Sequence, residues 1–182
     1  MGDIIILPQS SFDELCENNH WDDNNVESLH DTAFVSIIGT KDCLRFYLEE
    51  DETKHFFSDG HPNVINLDFD DISSETINYE GHTFYSINKE QAHELFEFIE
   101  RNIEEGKTRF ICHCRAGYSR SQAVGTFIYD FYRDKFNKKH ETLFLEHCNR
   151  KVYRMLSAEY YKKYGTPFSE GKEKENEHIQ TE

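Results

Sequence analysis

The sequence predicts an α/β domain with a central, mostly parallel sheet of four to five strands flanked by helices. Four short apolar runs, each bounded by polar residues or Gly, recur along the chain, and such runs are typical of buried strands. Patterns with apolar residues three and four positions apart lie between and after these runs. Strands that alternate with helices favour a parallel sheet with helices on its faces.

The predicted strands are rich in Ile, Val, Leu or Phe and cover residues 3–7, 33–39, 63–69 and 108–113. The clearest helix is predicted over residues 89–104, because its apolar side chains recur at intervals of three and four. These side chains are Ala92, Leu95, Phe96, Ile99 and Ile103. Asn88 and Gln91, which lie three residues apart, predict a cap at the start of this helix.

Helical patterns also follow the last predicted strand. They cover residues 119–131, 141–147 and 151–164, and Gly165 ends the last of them. From residue 166 onward the chain has almost no apolar residues, so we expect residues 166–182 to form a flexible acidic tail. Residues 1–165 are therefore predicted to form a single domain.

Composition excludes several classes of function. The chain has 182 residues and a formal net charge of −15, which argues against broad adhesion to nucleic acid or to an anionic membrane. No signal peptide or apolar span is visible, so we expect no membrane partner and a cytoplasmic location. The five cysteines are odd in number and irregularly spaced, a pattern that predicts reduced thiols. We also expect a monomer and no nucleic-acid partner.

The stretch that carries chemistry is residues 110–122, where an apolar strand ends, small and polar residues follow, and a helix begins. Such a loop turns backbone N–H groups inward at the positive end of a helix, which makes a phosphate or oxyanion site. Gly117 allows the tight turn. Cys114 is expected to be a thiolate, because thiols in such positions have pKa values of roughly 3.5–7.5. Arg120 is placed to take two phosphate oxygens.

The residues His-Cys, five positions and then Arg-Ser at 113–121 resemble the H-C-x5-R-S/T signature of the cysteine-dependent protein phosphatases, and Ala-Gly-x-Ser-Arg-Ser is similar to its dual-specificity form. The order of elements over residues 33–164 also looks like a compact dual-specificity phosphatase domain. Residues 1–30 match it less clearly and are interpreted as an N-terminal elaboration. The resemblance implies hydrolysis of phosphotyrosine and of phosphoserine or phosphothreonine in a phosphorylated protein, without cofactor or metal.

The resemblance also implies a role for each residue of the motif. Cys114 would attack phosphorus to give a cysteinyl-phosphate intermediate, and Arg120 would bind the phosphoryl oxygens. Ser121 would help Cys114 leave, and His113 would orient the loop and support a low thiol pKa rather than act as a base. The loop residues whose amides would bind substrate phosphate are Arg115, Ala116, Gly117, Tyr118, Ser119 and Arg120.

A general acid must protonate the leaving oxygen, and a base must activate water for the second step. The resemblance places one carboxylate for both roles just past the strand over residues 63–69. We choose Asp71, with Asp70 as the alternative and Asp68 nearby. The separation from Asp71 to Cys114 is longer than the resemblance suggests, and residues 80–84 are interpreted as part of an insertion.

Two other functions stay open at this point. A catalytically idle phosphoprotein-binding module would use the same loop, although such proteins often lack the Cys, the Arg or the acid. An RNA 5′-triphosphatase of the same superfamily favours a basic surface, which a net charge of −15 does not readily supply. Oxidised Cys114 would be trapped as a disulfide by Cys112 or Cys43 if either acts as a resolving thiol. Asn149 either caps the last helix or faces the site.

Overall fold

The computed structural model of the protein describes residues 2–48, 54–136 and 148–166. Its elements in chain order are β1 Asp3–Pro8, α1 Gln9–Asn18, β2 Thr32–Ile38, α2 Lys41–Leu48, β3 Val64–Asp68, β4 Thr76–Tyr79, β5 His82–Tyr85, α3 Lys89–Glu104, β6 Arg109–Cys114, α4 Arg120–Phe131 and α5 Arg150–Tyr164. The helix predicted at residues 141–147 and all but the first residue of the predicted tail lie outside the described residues.

Four strands form one parallel sheet in the order β1-β6-β2-β3. This sheet, with helices packed on it, confirms the predicted α/β class. Its strands, and the three predicted helices that fall on described residues, lie within one residue of their predicted bounds. Because the strands are parallel, their carboxyl ends meet at one edge, which is where open α/β sheets bind ligands. The register there pairs Pro8 with Cys114 and Ile38 with Asp68.

Two apolar layers cover the two faces of the sheet. The larger layer includes Phe110 and Cys112 of β6 and packs under α3, α4 and α5. The smaller layer includes Ile111 of β6, Phe34 of β2 and Phe12 of α1. Successive strand residues point to opposite faces, so the Cys114 side chain lies on the α4 face and the His113 side chain lies on the α1 face.

The N-terminal residues are part of this sheet. Strand β1 pairs with β6 along its whole length, and α1 follows it directly and buries Phe12. Gly125 of α4 lies against β1, because a Cβ at that position would come within 2.6 Å of Ile6 Cδ1. Residues 2–18 therefore support the central strand that carries the motif.

Helices α1 and α2 and the hairpin β4–β5 are not predicted from the sequence. The hairpin turns at Glu80 and Gly81, both with positive φ, and so accounts for the segment interpreted as an insertion at residues 80–84. Phe46 of α2 packs edge-to-face on Phe84 of β5. Among the described helices, none is long and apolar enough to cross a membrane.

Candidate active site

The motif forms a loop between the end of β6 and the start of α4, seated on the junction of β1 and α1. The backbone N–H of Gln9 donates to the carbonyl oxygen of Arg115 at 3.2 Å. Gly117 has φ +64, and a Cβ there would lie 2.3 Å from the Pro8 nitrogen. The loop therefore requires glycine at residue 117 for its backbone conformation and for the close approach of β1.

Gly117→Ala is expected to lower the free energy of unfolding by about 3 kcal/mol, because it adds a steric overlap to the cost of about 1–2 kcal/mol for a left-handed L-residue. Gly106→Ala is the matched control, since Gly106 has φ +86 and nothing within 4 Å of its added Cβ. The control should lose only about 1 kcal/mol. Urea unfolding of both variants measures the difference, and equal losses would contradict the seating of the loop on β1.

Cys114 lies at the base of this loop and is only 2% exposed. Burial acts to raise the pKa of the thiol, but hydrogen bonds from Ser121 and the positive charge of Arg120 oppose it and win, so the pKa lies below its ordinary value. The Ser121 hydroxyl donates to Cys114 Sγ at 3.2 Å. This environment favours the thiolate, which is the nucleophilic form of cysteine.

Arg120 begins α4, and its guanidinium is held in place by the ends of two strands. Its Nη1 donates to the carbonyl oxygens of Ile38 at 2.9 Å and of Phe69 at 2.5 Å. Its Nε is buried and has no hydrogen-bond partner among the described residues. A buried charged donor without a partner is costly, and an anion bound beside Cys114 would satisfy it.

His113 precedes the nucleophile but does not reach the same side of the sheet. Its ring stacks on Phe12 with the ring centroids 4.0 Å apart, and its Nε2 lies 2.7 Å from Ser36 Oγ. Burial, followed by the nearby His55 and Arg120, lowers the pKa of His113 to about 3. So low a pKa makes the neutral ring a very weak base, and its position against Phe12 on the α1 face suits a supporting role.

Asp71 is exposed and lies at the open side of the loop. Its Oδ1 accepts hydrogen bonds from the Ser119 hydroxyl and from Asn149 Nδ2, both at 2.7 Å. Asn149 also caps α5, because its side-chain oxygen accepts from the backbone N–H groups of Lys151 and Val152. Asn149 therefore does both things that the sequence suggests: it caps α5, and it faces the site, where it contacts the candidate acid Asp71.

Asp70 has a different environment, although it is the next residue in the chain. It is 1% exposed and, besides a contact from the Cys43 thiol, accepts three hydrogen bonds. The donors are the Thr40 backbone N–H at 2.8 Å, the Thr40 hydroxyl at 2.7 Å and the Tyr85 backbone N–H at 2.8 Å. These contacts link Thr40, which precedes α2, to Tyr85 of the hairpin. The Asp70 carboxylate therefore has a structural role.

A cleft of about 490 Å³ is lined by most of the predicted site residues and by several apolar side chains. It is lined by Cys43, Tyr47, Asp70, Asp71, Ile72, Phe84, Cys114, Arg115, Ala116, Ser119 and Arg120. Ser121 lies behind Cys114, and Gly117 faces β1 rather than the cleft. Tyr118 is 55% exposed and does not line the cleft.

Comparisons with known proteins do not assign this chain to a family. Neither a protein-family model nor a curated protein matches the chain. A solved structure described as the crystal structure of Tk-PTP in the active form is similar at 17% identity and a TM-score of 0.34, covering 86% of this chain and 77% of that chain. A structural similarity with so low a TM-score and identity supports no conclusion about fold or function. The function must therefore be inferred from the residues of the cleft.

The two candidate resolving thiols differ in their access to Cys114. Cys43 lines the cleft, and burial followed by the charge of Asp70 raises its pKa to about 12. Cys112 is fully buried in β6, and burial raises its pKa further still. Trapping of oxidised Cys114 stays a prediction, with Cys43 as the accessible partner. Among the described residues, no three His, Cys, Asp or Glu side chains are grouped to hold a metal ion.

Proposed function

We propose that this protein is a cysteine-dependent phosphatase that acts on phosphotyrosine, and on phosphoserine or phosphothreonine, in protein substrates. The observation that carries the proposal is the meeting of Cys114 and Arg120 at the end of β6. The Cys114 thiol has a pKa below its ordinary value. It lines the same cleft as the buried Arg120 guanidinium, whose Nε has no partner among the described residues. Nucleophile and anion clamp would then act on the same phosphoryl group.

In the first step, the Cys114 thiolate attacks phosphorus and its electron pair forms the S–P bond. The P–O bond to the leaving group breaks, and the leaving oxygen takes a proton from Asp71. Arg120 and the amides of the loop stabilise the charge on the three remaining oxygens. The products of this step are the dephosphorylated side chain, the cysteinyl-phosphate and an Asp71 carboxylate.

In the second step, the Asp71 carboxylate takes a proton from water while the water oxygen attacks phosphorus. The S–P bond breaks and its electrons return to Cys114 as the thiolate. The Ser121 hydroxyl, 3.2 Å from Sγ, stabilises that charge. Inorganic phosphate then leaves, and Asp71 is again protonated for the next cycle.

Asp71 is the better candidate for the acid because its surroundings leave it available. It is exposed and is held at the mouth of the loop by Ser119 and Asn149. Asp70 is buried, and both of its oxygens accept protein hydrogen bonds. The Asp70 carboxylate therefore has a structural role that Asp71 does not share.

The wall of the cleft favours a phosphate group on a ring. Tyr47, Ile72 and Phe84 line the same cleft as the loop residues. Aromatic and aliphatic side chains contact a phenyl ring more extensively than they contact the short side chain of phosphoserine. We therefore expect phosphotyrosine to be the fastest substrate, with phosphothreonine and phosphoserine hydrolysed more slowly.

Phosphate release from three peptides that differ only in the phosphorylated residue tests this proposal. The expected order of kcat/KM is phosphotyrosine above phosphothreonine and phosphoserine, with measurable release from all three. Release from the phosphotyrosine peptide alone would restrict the specificity to tyrosine. Tight binding without release would indicate the idle binding module, and neither binding nor release would point to RNA 5′ ends.

A further inference from the structure

A chain of hydrogen bonds leads from the buried His113 ring to the surface of the protein. His113 Nε2 lies 2.7 Å from Ser36 Oγ, and that oxygen lies 2.6 Å from His55 Nδ1. His55 Nε2 in turn lies 2.7 Å from Asp68 Oδ1. The side chain of His55 is 16% exposed and that of Asp68 is 62% exposed, so only the outer end of the chain is solvated. Ser36, His55 and Asp68 all lie outside the phosphate-binding motif.

Only one placement of protons satisfies every contact when Asp68 is ionised and His55 is neutral. An ionised carboxylate only accepts, so His55 carries its proton on Nε2 and its Nδ1 is an acceptor. The Ser36 hydroxyl has one proton, which it donates to that Nδ1. Ser36 Oγ must then accept from His113, whose proton lies on Nε2. The carboxylate at the surface thus dictates the tautomer of the His113 ring, which is three hydrogen bonds away.

The surroundings of the other His113 nitrogen agree with this placement. His113 Nδ1 is buried and has no hydrogen-bond partner among the described residues. A proton on Nδ1 would be a buried donor with nothing to receive it, and buried donors without partners are rare. The same tautomer would require the Ser36 proton at His113 Nε2, so His55 Nδ1 would lose its donor.

The ring of His113 is fixed in two directions by these contacts. Phe12 covers one face at an interplanar angle of 21°, and Ser36 holds the edge. We propose that Asp68, His55 and Ser36 are positioning residues that keep His113 in its Nε2–H tautomer and fix the strand end that carries Cys114. The kinetic part of this inference rests on the proposed phosphatase function, whereas the tautomer does not depend on any activity.

The inference also gives Asp68 a role separate from that of the general acid. Its carboxylate bonds His55, and it is absent from the described lining of the cleft that contains Asp71 and Cys114. A substitution of Asp68 should therefore affect turnover only by way of its contact with His55, which in turn contacts Ser36. This makes the chain testable by combining substitutions at its two ends.

The first test reads the tautomer of His113 directly in the full chain labelled with ¹⁵N-histidine. Long-range ¹H–¹⁵N correlation spectra show which ring nitrogen carries the proton, and the loss of signals in His113→Gln assigns the ring. The wild type should show Nε2–H. In His55→Phe, Ser36 loses its acceptor and can donate to His113 Nε2, so an Nδ1–H population should appear. His93→Phe is the control, because His93 also pairs with a carboxylate, that of Glu159 at 2.9 Å.

Two results would overturn the inference: an Nδ1–H tautomer in the wild type, or an unchanged His113 tautomer in His55→Phe. The wild-type spectrum alone decides the first of these, so the inference stays testable even if His55→Phe fails to fold.

The second test is kinetic and uses the phosphotyrosine peptide. Asp68→Ala and His55→Phe should each lower kcat about tenfold with KM unchanged, because they misplace the nucleophile without removing a contact to the substrate. The double variant should be no slower than either single one. If the fold-loss of kcat in the double variant equalled the product of the two single fold-losses, Asp68 would act independently of His55, and the inference would be overturned. A wild type without turnover would refute the phosphatase proposal and leave the tautomer result standing.

Discussion

Cys114→Ser is expected to abolish phosphate release, with a loss of about 10⁴-fold or more in kcat, since removal of an enzymatic nucleophile has effects of this order. The contacts from Ser121 and Arg120 hold the pKa of the thiol below its ordinary value, but they cannot ionise a serine hydroxyl, which is a far weaker acid. The measurement is phosphate release from the phosphotyrosine peptide under single-turnover conditions.

The same variant should keep its affinity for the phosphopeptide, because Arg120 and the loop amides are unchanged. Cys16→Ala is the control: this buried thiol lies in α1, and burial followed by Asp13 and Glu17 raises its pKa to about 12. Its turnover should match that of the wild type. Retained turnover in Cys114→Ser would rule out the thiolate mechanism, and lost binding would mean that the substitution has collapsed the loop.

The pH dependence of the wild type gives a further check on the nucleophile. Turnover needs the thiolate, so the acidic limb of the kcat/KM profile should rise with pH as Cys114 loses its proton. Because the pKa of Cys114 lies below its ordinary value, this rise should fall at lower pH than for a free cysteine. Ser121→Ala removes one of the hydrogen bonds that lower the pKa and should move the rise to higher pH.

The sheet and the loop that follows β6 are predictable from the sequence because their signals are local. An apolar run followed by small residues and a helical repeat at residues 108–131 is enough to place β6, the loop and α4. Asn88 and Gln91 form the predicted cap in full, since each side chain bonds the backbone N–H of the other. Such contacts span only a few residues, so propensity and spacing predict them.

Helix α2 and the hairpin are harder to predict because each depends on the other. α2 has eight residues, and helices this short are marginal in isolation. Strand β4 is exposed at all four positions, so it has no apolar alternation to reveal it. Phe46 of α2 packs on Tyr79 and Phe84 of the hairpin, and this contact exists only after the chain has folded.

The pairing of distant residues in the site is not predictable from the sequence for a related reason. Ser36 and His113 lie 77 positions apart, and Asp71 and Asn149 lie 78 positions apart. No periodicity links such pairs; the parallel sheet brings them together at the carboxyl ends of its strands. The loop is therefore predictable from its own residues, whereas its distant contacts depend on the topology of the sheet.

Asp71→Asn should lower kcat for the phosphotyrosine peptide about 100-fold, within the range expected for loss of a general acid. The loss should shrink with an aryl phosphate whose phenol is strongly acidic, because that leaving group departs without a proton. Asp71 is exposed, so the free energy of unfolding should change little. Comparing kcat for the two substrates in the wild type and the variant measures the effect.

Asp70→Asn is the matched control, with the same chemical change at the neighbouring residue. Asp70 is buried and bonded to Thr40 and Tyr85, so this variant should lose about 1–3 kcal/mol of stability. Where it is folded, its kcat should fall equally for both substrates. The reverse pattern, in which the loss of kcat depends on the leaving group for Asp70→Asn and is equal on both substrates for Asp71→Asn, would move the acid to Asp70. Stability and leaving-group dependence thus separate two adjacent carboxylates that the sequence alone leaves as alternatives.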